Sequence, residues 1–491
     1  MMGVEGLPQE RLFLTNFSLD RRVRAGHPLR RVASVLDLSF VYGEVRETYG
    51  VNGNVSVPPP VIVKLLLLLV LYNVRSEREL METLPERLDW LWFLGYDLDT
   101  EVPDHSVLSK ARKRWGEGVF RRLFERVVLQ CVEAGLIDGR KVFLDASLVE
   151  ADASPNSVVD LFKLHVAGTY RELTKRLEER DAPVCPPGRE ENGGMESPEG
   201  ALPGRRGRRE VNRRYVSGTD PDAAIVRKGT PDLYYKVHRA VDGRSEVITA
   251  TEVTSGDVNE AHRMAPLLDQ HASSARRSPQ TVVADMKYGT VENFLLCSTR
   301  GLKAHIPDLG EAEAHRASMR AIFPASAFTY DAETDTYRCP QGQRLPRKSM
   351  HLHTQSIDYA APKSVCQACP ARHECTRNVM GRTIKRHFRQ EELTAMREAS
   401  RSSVSRRDIR LRQHWMERSF ARAGRYGFKR SRWRGLWKMR IQEYLIATLQ
   451  NLTVLLRYGQ GPRRGILTRG EPLFPSLAAI PLSPPWLPAP T

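Results

Sequence analysis

Cysteine is scarce in this chain: 7 among 491 residues, with Cys339, Cys366, Cys369 and Cys375 crowded late in the sequence. An odd, uneven set is a poor disulfide framework. The opening MMGVEGLPQERLFL lacks a basic stretch followed by an apolar one, so no secretory leader is expected. Together these point to a reducing cytoplasmic setting, where clustered thiols suit metal better than disulfides. Long hydrophobic runs are missing too. The most apolar stretch, residues 61–71, is broken by Lys64 and falls short of the about 20 residues that span a bilayer. It predicts a buried helix and no membrane partner. Negative charge is the last shortage, with 58 acids against 75 lysines and arginines, a net charge of +17. A balance this basic favours a polyanionic partner, most often nucleic acid. Apolar residues still make up 41%, enough for folded domains rather than a disordered chain.

Residues 1–135 read as helical. Ser76 and Glu79 form a capping box before ELMETL. Pro103, Asp104 and Ser106 open a helix over VLSKARKRWG. The segment FRRLFERVVLQCVEAG places Phe120, Leu123, Phe124, Val127, Val128 and Cys131 at helical spacing. The pattern then shifts. KVFLDASLVEAD is a short β-rich run with an aspartate inside it. A helix is predicted over 156–180. A Pro-, Gly- and charge-rich excursion over 181–214 reads as disordered. LYYKVHRAV and SEVITATEV, joined at Asp242-Gly243, predict a hairpin. A helix (NEAHRMAPLLDQH), a strand (TVVAD), a helix (VENFLLCSTRG) and a strand (LKAHIP) follow. Such an order suits an α/β sheet of mixed direction. The cysteine segment occupies 328–386, and helices fill 387–458. The last helix has Leu445, Leu449, Leu452 and Leu456 on one face. The proline-rich tail, 459–491, reads as unstructured.

Three acids stand out by context: Asp145 in VFLDASLV, Asp285 at the end of TVVAD, and Glu417 in the arginine-crowded RLRQHWMERSFAR. A carboxylate in an apolar strand is costly unless it is paired or binds a cation, and ligands of open α/β sheets gather at strand ends. Three converging carboxylates would suit a hard divalent cation such as magnesium or manganese. Spacing alone does not show that they converge. Each acid can equally be read as a surface charge or an ion-pair partner.

The blocks VFLDASLVEADAS, YYKVHRAVD, VVADMKYGTVENF and ERSFARAGRYGFKRSRWRGLWKMRIQEYLIATLQN resemble bacterial insertion-sequence transposases of the DDE class. SERELMETLPERLDWLWFLGYD and VPDHSVLSKARKRWG resemble the helical N-terminal domain of that family. YDAETDTYRCPQGQRL with VCQACPARHECT resembles a subgroup with a four-cysteine insert. The likeness covers residues from about 10 to 458. It implies an RNase H-like mixed-sheet catalytic core, in parts over 136–327 and 387–458, with an all-α DNA-binding domain in front. It assigns the catalytic, metal-holding acids to Asp145, Asp285 and Glu417. Asp152 falls where the family places no catalytic residue and is secondary. Glu443 reads as an ordinary helix charge. Where relatives carry a lysine or arginine two turns past the glutamate, this chain has Gly424, so Arg422, Arg425 or Lys429 would grip DNA instead.

Cys366 and Cys369 form a CxxC knuckle that Cys339 and Cys375 would complete as a structural zinc site, with no open coordination position. The alternative is four reduced thiols packing a small insert. Ser106, Ser109, Lys110, Lys113 and Arg114 sit together on one helix that suits a recognition role, or simply a solvated basic face. Arg418, Arg422, Arg425, Lys429, Arg430, Arg432 and Arg434 form a denser cluster beside Glu417. Tyr426, Phe428 and Trp433 lie among them, a mixture suited to phosphate contact and base stacking. The expected partners are double-stranded DNA, as terminal inverted repeats and as target, and a second copy of the chain, since two ends must be paired. Two competing functions remain at this point: a DNA-binding protein without catalysis, and a nuclease that hydrolyses without joining.

Overall fold

A computed structural model describes Met2 and residues 18–50, 55–161, 210–310 and 319–459 of the chain. Among the described residues eight helices come first: α1 (Leu19–Arg22), α2 (Pro28–Ala33), α3 (Phe40–Val45), α4 (Pro59–Leu71), α5 (Glu77–Thr83), α6 (Leu88–Leu94), α7 (Ser106–Trp115) and α8 (Gly118–Glu133). Pro59 and Pro60 open α4 at positions whose N–H groups have no helical partner in any case, and every residue of it except Lys64 is buried. The expected buried helix is therefore present. The Ser76 hydroxyl accepts from the Glu79 amide at 3.1 Å and starts α5. Among the described residues no helix is long and apolar enough to cross a membrane.

The sheet that follows is mixed. Strand β1 (Lys141–Glu150) leads to a short β2 (Val158–Asp160), a one-turn α9 (Glu210–Arg214) and β3 (Tyr215–Ser217). β4 (Ala224–Lys228), β5 (Thr230–Asp242) and β6 (Ile248–Ser255) come next. Then α10 (Met264–Ala275), β7 (Thr281–Val283), α11 (Val291–Thr299) and β8 (Lys303–His305) alternate. Across the sheet the order is β6-β5-β1-β7-β8, with β4 also paired to β5. β1, β5 and β6 run antiparallel in turn, whereas β7 lies parallel to β1 and β8 parallel to β7. The Asp242-Gly243 hairpin is present as expected. The predicted helix over 156–180 is not seen at its start, where Pro155–Ser157 form a 3₁₀ turn and β2 pairs with β3 instead. Its remainder, most of the 181–214 excursion and the tail from 460 lie outside the described residues.

Alternation along β1 divides the interior in two. Val142 and Leu144 join Ala240, Met264, Leu267 and Phe294 beneath α10 and α11. Phe143 and Val149 point the other way, into a core shared with α4, α8 and the last helix. The four-cysteine segment forms two three-stranded sheets. One contains β9 (Thr329–Asp331), β10 (Thr336–Arg338) and β11 (Arg344–Leu345). The other contains β12 (Arg347–His351), β13 (Ser356–Ala360) and β14 (Thr383–His387). Two short helices, α12 (Lys363–Gln367) and α13 (Arg372–Cys375), lie between β13 and β14. Tyr337, Tyr359, Phe328 and Ile384 make its small core. Three helices end the described chain: α14 (Gln390–Ser400), α15 (Ser403–Ala423) and α16 (Leu436–Tyr458). α16 is buried well beyond its leucine face, since Gln442, Glu443, Thr448 and Asn451 are enclosed as well.

Candidate metal centre and nucleic-acid interface

Register places two of the expected acids side by side. Phe143 of β1 pairs with Val283 of β7 in a parallel ladder, and Asp145 and Asp285 each lie two residues beyond that pair. Asp285 ends its strand by capping a 3₁₀ turn, its Oδ1 accepting from the Lys287 amide at 3.0 Å. The turn sits tight against the exit of β8. A Cβ on Gly289 would stand 2.3 Å from the Pro307 carbonyl oxygen, so only glycine fits there without movement.

A third acid, Glu260, joins them from the 3₁₀ turn after β6. Carboxylate oxygens of Asp145, Glu260 and Asp285 all lie within 4.8 Å of one another. Asn259 starts that turn by accepting from the Ala261 amide at 3.2 Å. The Asn293 side chain donates to the Ala261 and Tyr288 carbonyls at 3.1 and 3.0 Å, tying the Glu260 and Asp285 turns together. Sequence reading missed Glu260 because a glutamate opening an amphipathic helix is an ordinary capping signal. Nothing local shows that the turn faces the sheet's carboxyl end.

Cations surround the group. Arg412 of α15 reaches Asp145 Oδ2 at 2.9 Å and also donates to the Leu144 carbonyl at 3.3 Å. Lys287 Nζ lies 3.0 Å, and Lys236 Nζ 3.5 Å, from Glu260 Oε1. Burial pushes Asp145 up to about 6, with Arg412 pulling it down and Asp285 and Glu260 adding to the rise. Burial, and then Glu260, also raise Asp285. The Lys236 ammonium is lowered, chiefly by burial. Two aspartates raised in this way beside a third carboxylate are what a divalent cation relieves.

Glu417 stands apart. It is exposed on α15, where Gln413 donates to its Oε1 at 3.0 Å. The inward positions of that helix belong to Arg412, Trp415, Met416 and Ser419, with Trp415 edge-on to Phe143 at 5.5 Å. Five residues beyond Arg412 is about 140° around a helix, which turns Glu417 to solvent.

Two family models match the chain. Residues 17–114 match one described as a transposase domain (DUF772), and residues 338–456 match one described as a transposase DDE domain. Both matched families are described as transposase domains, the second of the DDE kind. Glu417 and the four clustered cysteines fall inside the second match, whereas Asp145, Glu260 and Asp285 fall between the two. No curated protein and no solved structure matches the chain.

The basic residues of the chain sort into two kinds. On α7, Ser109, Lys110, Lys113 and Arg114 are exposed and Ser106 is half-buried. Arg112, between them, is buried against Glu77 and stacks on Trp433 at 4.0 Å. In the dense cluster, Arg418 and Arg422 both hold Glu246. Arg430 and Arg434 hold Asp152, at 3.3 Å each. Arg432 donates to the Val74 carbonyl and to Asn73. Arg425 and Lys429 are exposed. The aromatics expected to stack on bases are otherwise engaged. Tyr426 and Phe428 are buried in the core, and Trp433 is covered by Arg112 while donating to Glu77 at 3.0 Å. Apolar rings between paired arginines gain more from the core than from solvent. Arg406, Arg407 and Arg410, not singled out from sequence, are exposed on α15 with no acidic partner among the described residues.

In the insert, Cys339, Cys366 and Cys375 pack against the small core. Burial, and then the other three thiolates of the cluster, raise the Cys375 thiol against the opposing pull of Arg382. The four are thus near neighbours, although among the described residues only the acidic group brings three ligand atoms within 4.8 Å. Gly381, at φ +95°, lies where a Cβ would meet the Cys366 side chain at 2.9 Å.

Proposed function

We propose that this chain is a DDE transposase, which binds the terminal inverted repeats of an insertion sequence, nicks their ends and transfers the freed 3′-hydroxyl to target DNA. The observation that carries the proposal is the convergence of Asp145 and Asp285 on adjacent parallel strands, beside a third buried carboxylate. The strand order, with three antiparallel strands followed by two parallel to β1, supports an RNase H-like core. The donor set fits magnesium or manganese, for every group is a hard carboxylate oxygen and one of them, Glu260 Oε2, is buried without a partner among the described residues. Asp145 and Asp285 would hold the cation. When bound, it would activate a water or 3′-hydroxyl and stabilise the leaving oxygen of the phosphodiester.

The chain's own groups do the rest. Arg412, fixed by the Leu144 carbonyl, holds Asp145 in place. The exposed cations Arg406, Arg407 and Arg410 line α15 for backbone phosphates, with Arg425 and Lys429 beyond it. The polar face of α7 would read the repeats, and two copies would pair two ends. The family likeness gives the glutamate of the triad to Glu417, on the same solvent face as these arginines. Cleavage and joining of DNA carrying the repeats of its own locus tests the whole reading.

A further inference from the structure

Glu260 is 5% exposed. Its Oε1 is served by Lys287 and Lys236, yet its Oε2 is buried with no hydrogen-bond partner among the described residues. Beside it lies a second orphan. The Tyr288 side chain is fully buried, its hydroxyl has no partner among the described residues, and it feels the charge of Glu260, Asp145 and Asp285. A buried carboxylate oxygen and a buried phenol left without hydrogen bonds cost free energy that folding normally avoids. Both belong to one place, where carboxylate oxygens from three separate elements come within 4.8 Å.

If Glu260 were only a counter-ion for two lysines, Oε1 alone would suffice and the turn would have no need to seat the carboxylate against two aspartates. The backbone is built the other way. Asn259 caps the turn, and Asn293 locks it to the Asp285 turn. Lys287, by contrast, has a side chain 66% exposed, long enough to swing into solvent once its partner is satisfied otherwise.

We propose that Glu260 is the third carboxylate for the divalent cation in the free protein, and that Lys287 neutralises it until the cation arrives. This rests on the transposase reading only in taking Asp145 and Asp285 as the other two ligands. It gives the metal a complete set of acids before DNA is bound, independently of Glu417 on the outer face of α15.

The test is a manganese titration of the DNA-free, full-length protein, followed by electron paramagnetic resonance, with a melting curve for each variant. Glu260→Gln is expected to weaken manganese binding by at least about tenfold, the scale on which lesser perturbations near metal sites act. Lys287→Met is expected to tighten it several-fold, because a competing cation has gone. Manganese binding by Glu260→Gln equal to that of the unchanged protein would overturn the assignment. Should Glu260→Gln fail to fold, Lys287→Met still decides, and unchanged affinity there would overturn the proposal. Asp145→Asn separates the two levels. If it binds manganese normally, the metal site of the transposase reading fails. If it loses binding while Glu260→Gln does not, that reading stands and only this proposal falls.

Discussion

Arg239 and Glu443 close on each other inside the core, Nε to Oε1 at 2.7 Å and Nη2 to Oε2 at 3.0 Å. Arg239 has no exposed surface and Glu443 only 1%. Thr251, Ser419 and Gln450 complete the network. Arg239 faces Asp145 across the β1–β5 ladder, so this pair pins α16 and α15 to β5, the strand beside the one that carries the first acid. Glu443 is therefore not the ordinary helix charge its sequence context suggested. A long apolar helix hides which of its polar residues meets a buried arginine from a strand 204 positions away.

Breaking this pair leaves one buried charge uncompensated. Glu443→Gln or Arg239→Met is predicted to cost about 3–5 kcal/mol of stability in chemical denaturation. The double change to two apolar residues is predicted to recover much of that loss. Single variants as stable as the unchanged protein would show that the network does not hold the sheet.

The raised Asp145 sets a pH dependence. An aspartate near 3.8 in the unfolded chain and about 6 in the folded one binds more protons when folded between those values. The metal-free protein should therefore lose stability as pH rises through that window and then level off. Asp145→Asn should flatten that decline, as should saturating magnesium. Metal affinity should climb over the same range, since the proton must leave before the cation binds. Melting temperatures and manganese titrations from pH 4 to about 7 read both effects.

Among the arginines, position decides function. Replacing Arg406, Arg407 and Arg410 with alanine should weaken DNA binding and reduce its salt dependence by about 0.9 in log–log slope for each phosphate no longer neutralised. Melting should barely change. Arg432→Ala should behave in the opposite way, destabilising the fold by removing the hydrogen bonds to Asn73 and the Val74 carbonyl. Filter binding across a salt series, with a melting curve beside it, separates the two.

For the insert, structural zinc on Cys339, Cys366, Cys369 and Cys375 predicts about one zinc per chain, absent from Cys366→Ser. Gly381→Ala should lower zinc retention by pushing the Cys366 side chain from its place. Elemental analysis of the purified protein gives the answer directly. A chain free of zinc with an intact insert would favour plain thiol packing.

Much of the α/β plan was legible because local signals agreed: the Asp242-Gly243 hairpin, the buried run over 61–71, the Ser76 cap and the alternation of strands and helices after 259. Asp145 and Asp285 were legible as acids at apolar strands. Their adjacency depends on the parallel pairing of β1 with β7, which no local pattern encodes. Arg412 and Glu443 act through partners more than a hundred residues away, and Glu260 through groups on separate elements. The expected stacking role of Tyr426, Phe428 and Trp433 failed for a related reason. Composition shows rings among arginines but not which side of the chain meets the core.

The central claim is metal-dependent cutting and joining of DNA by Asp145 within β1 and Asp285 just past β7. The most direct measurement uses the full chain, magnesium or manganese, and DNA bearing the inverted repeats that flank its own locus, with products resolved on a sequencing gel. The account predicts nicks at the repeat ends and joined products, both abolished in Asp145→Asn and Asp285→Asn while repeat binding persists. Cleavage undiminished in Asp285→Asn would contradict it, and so would repeat binding with no cleavage under either metal.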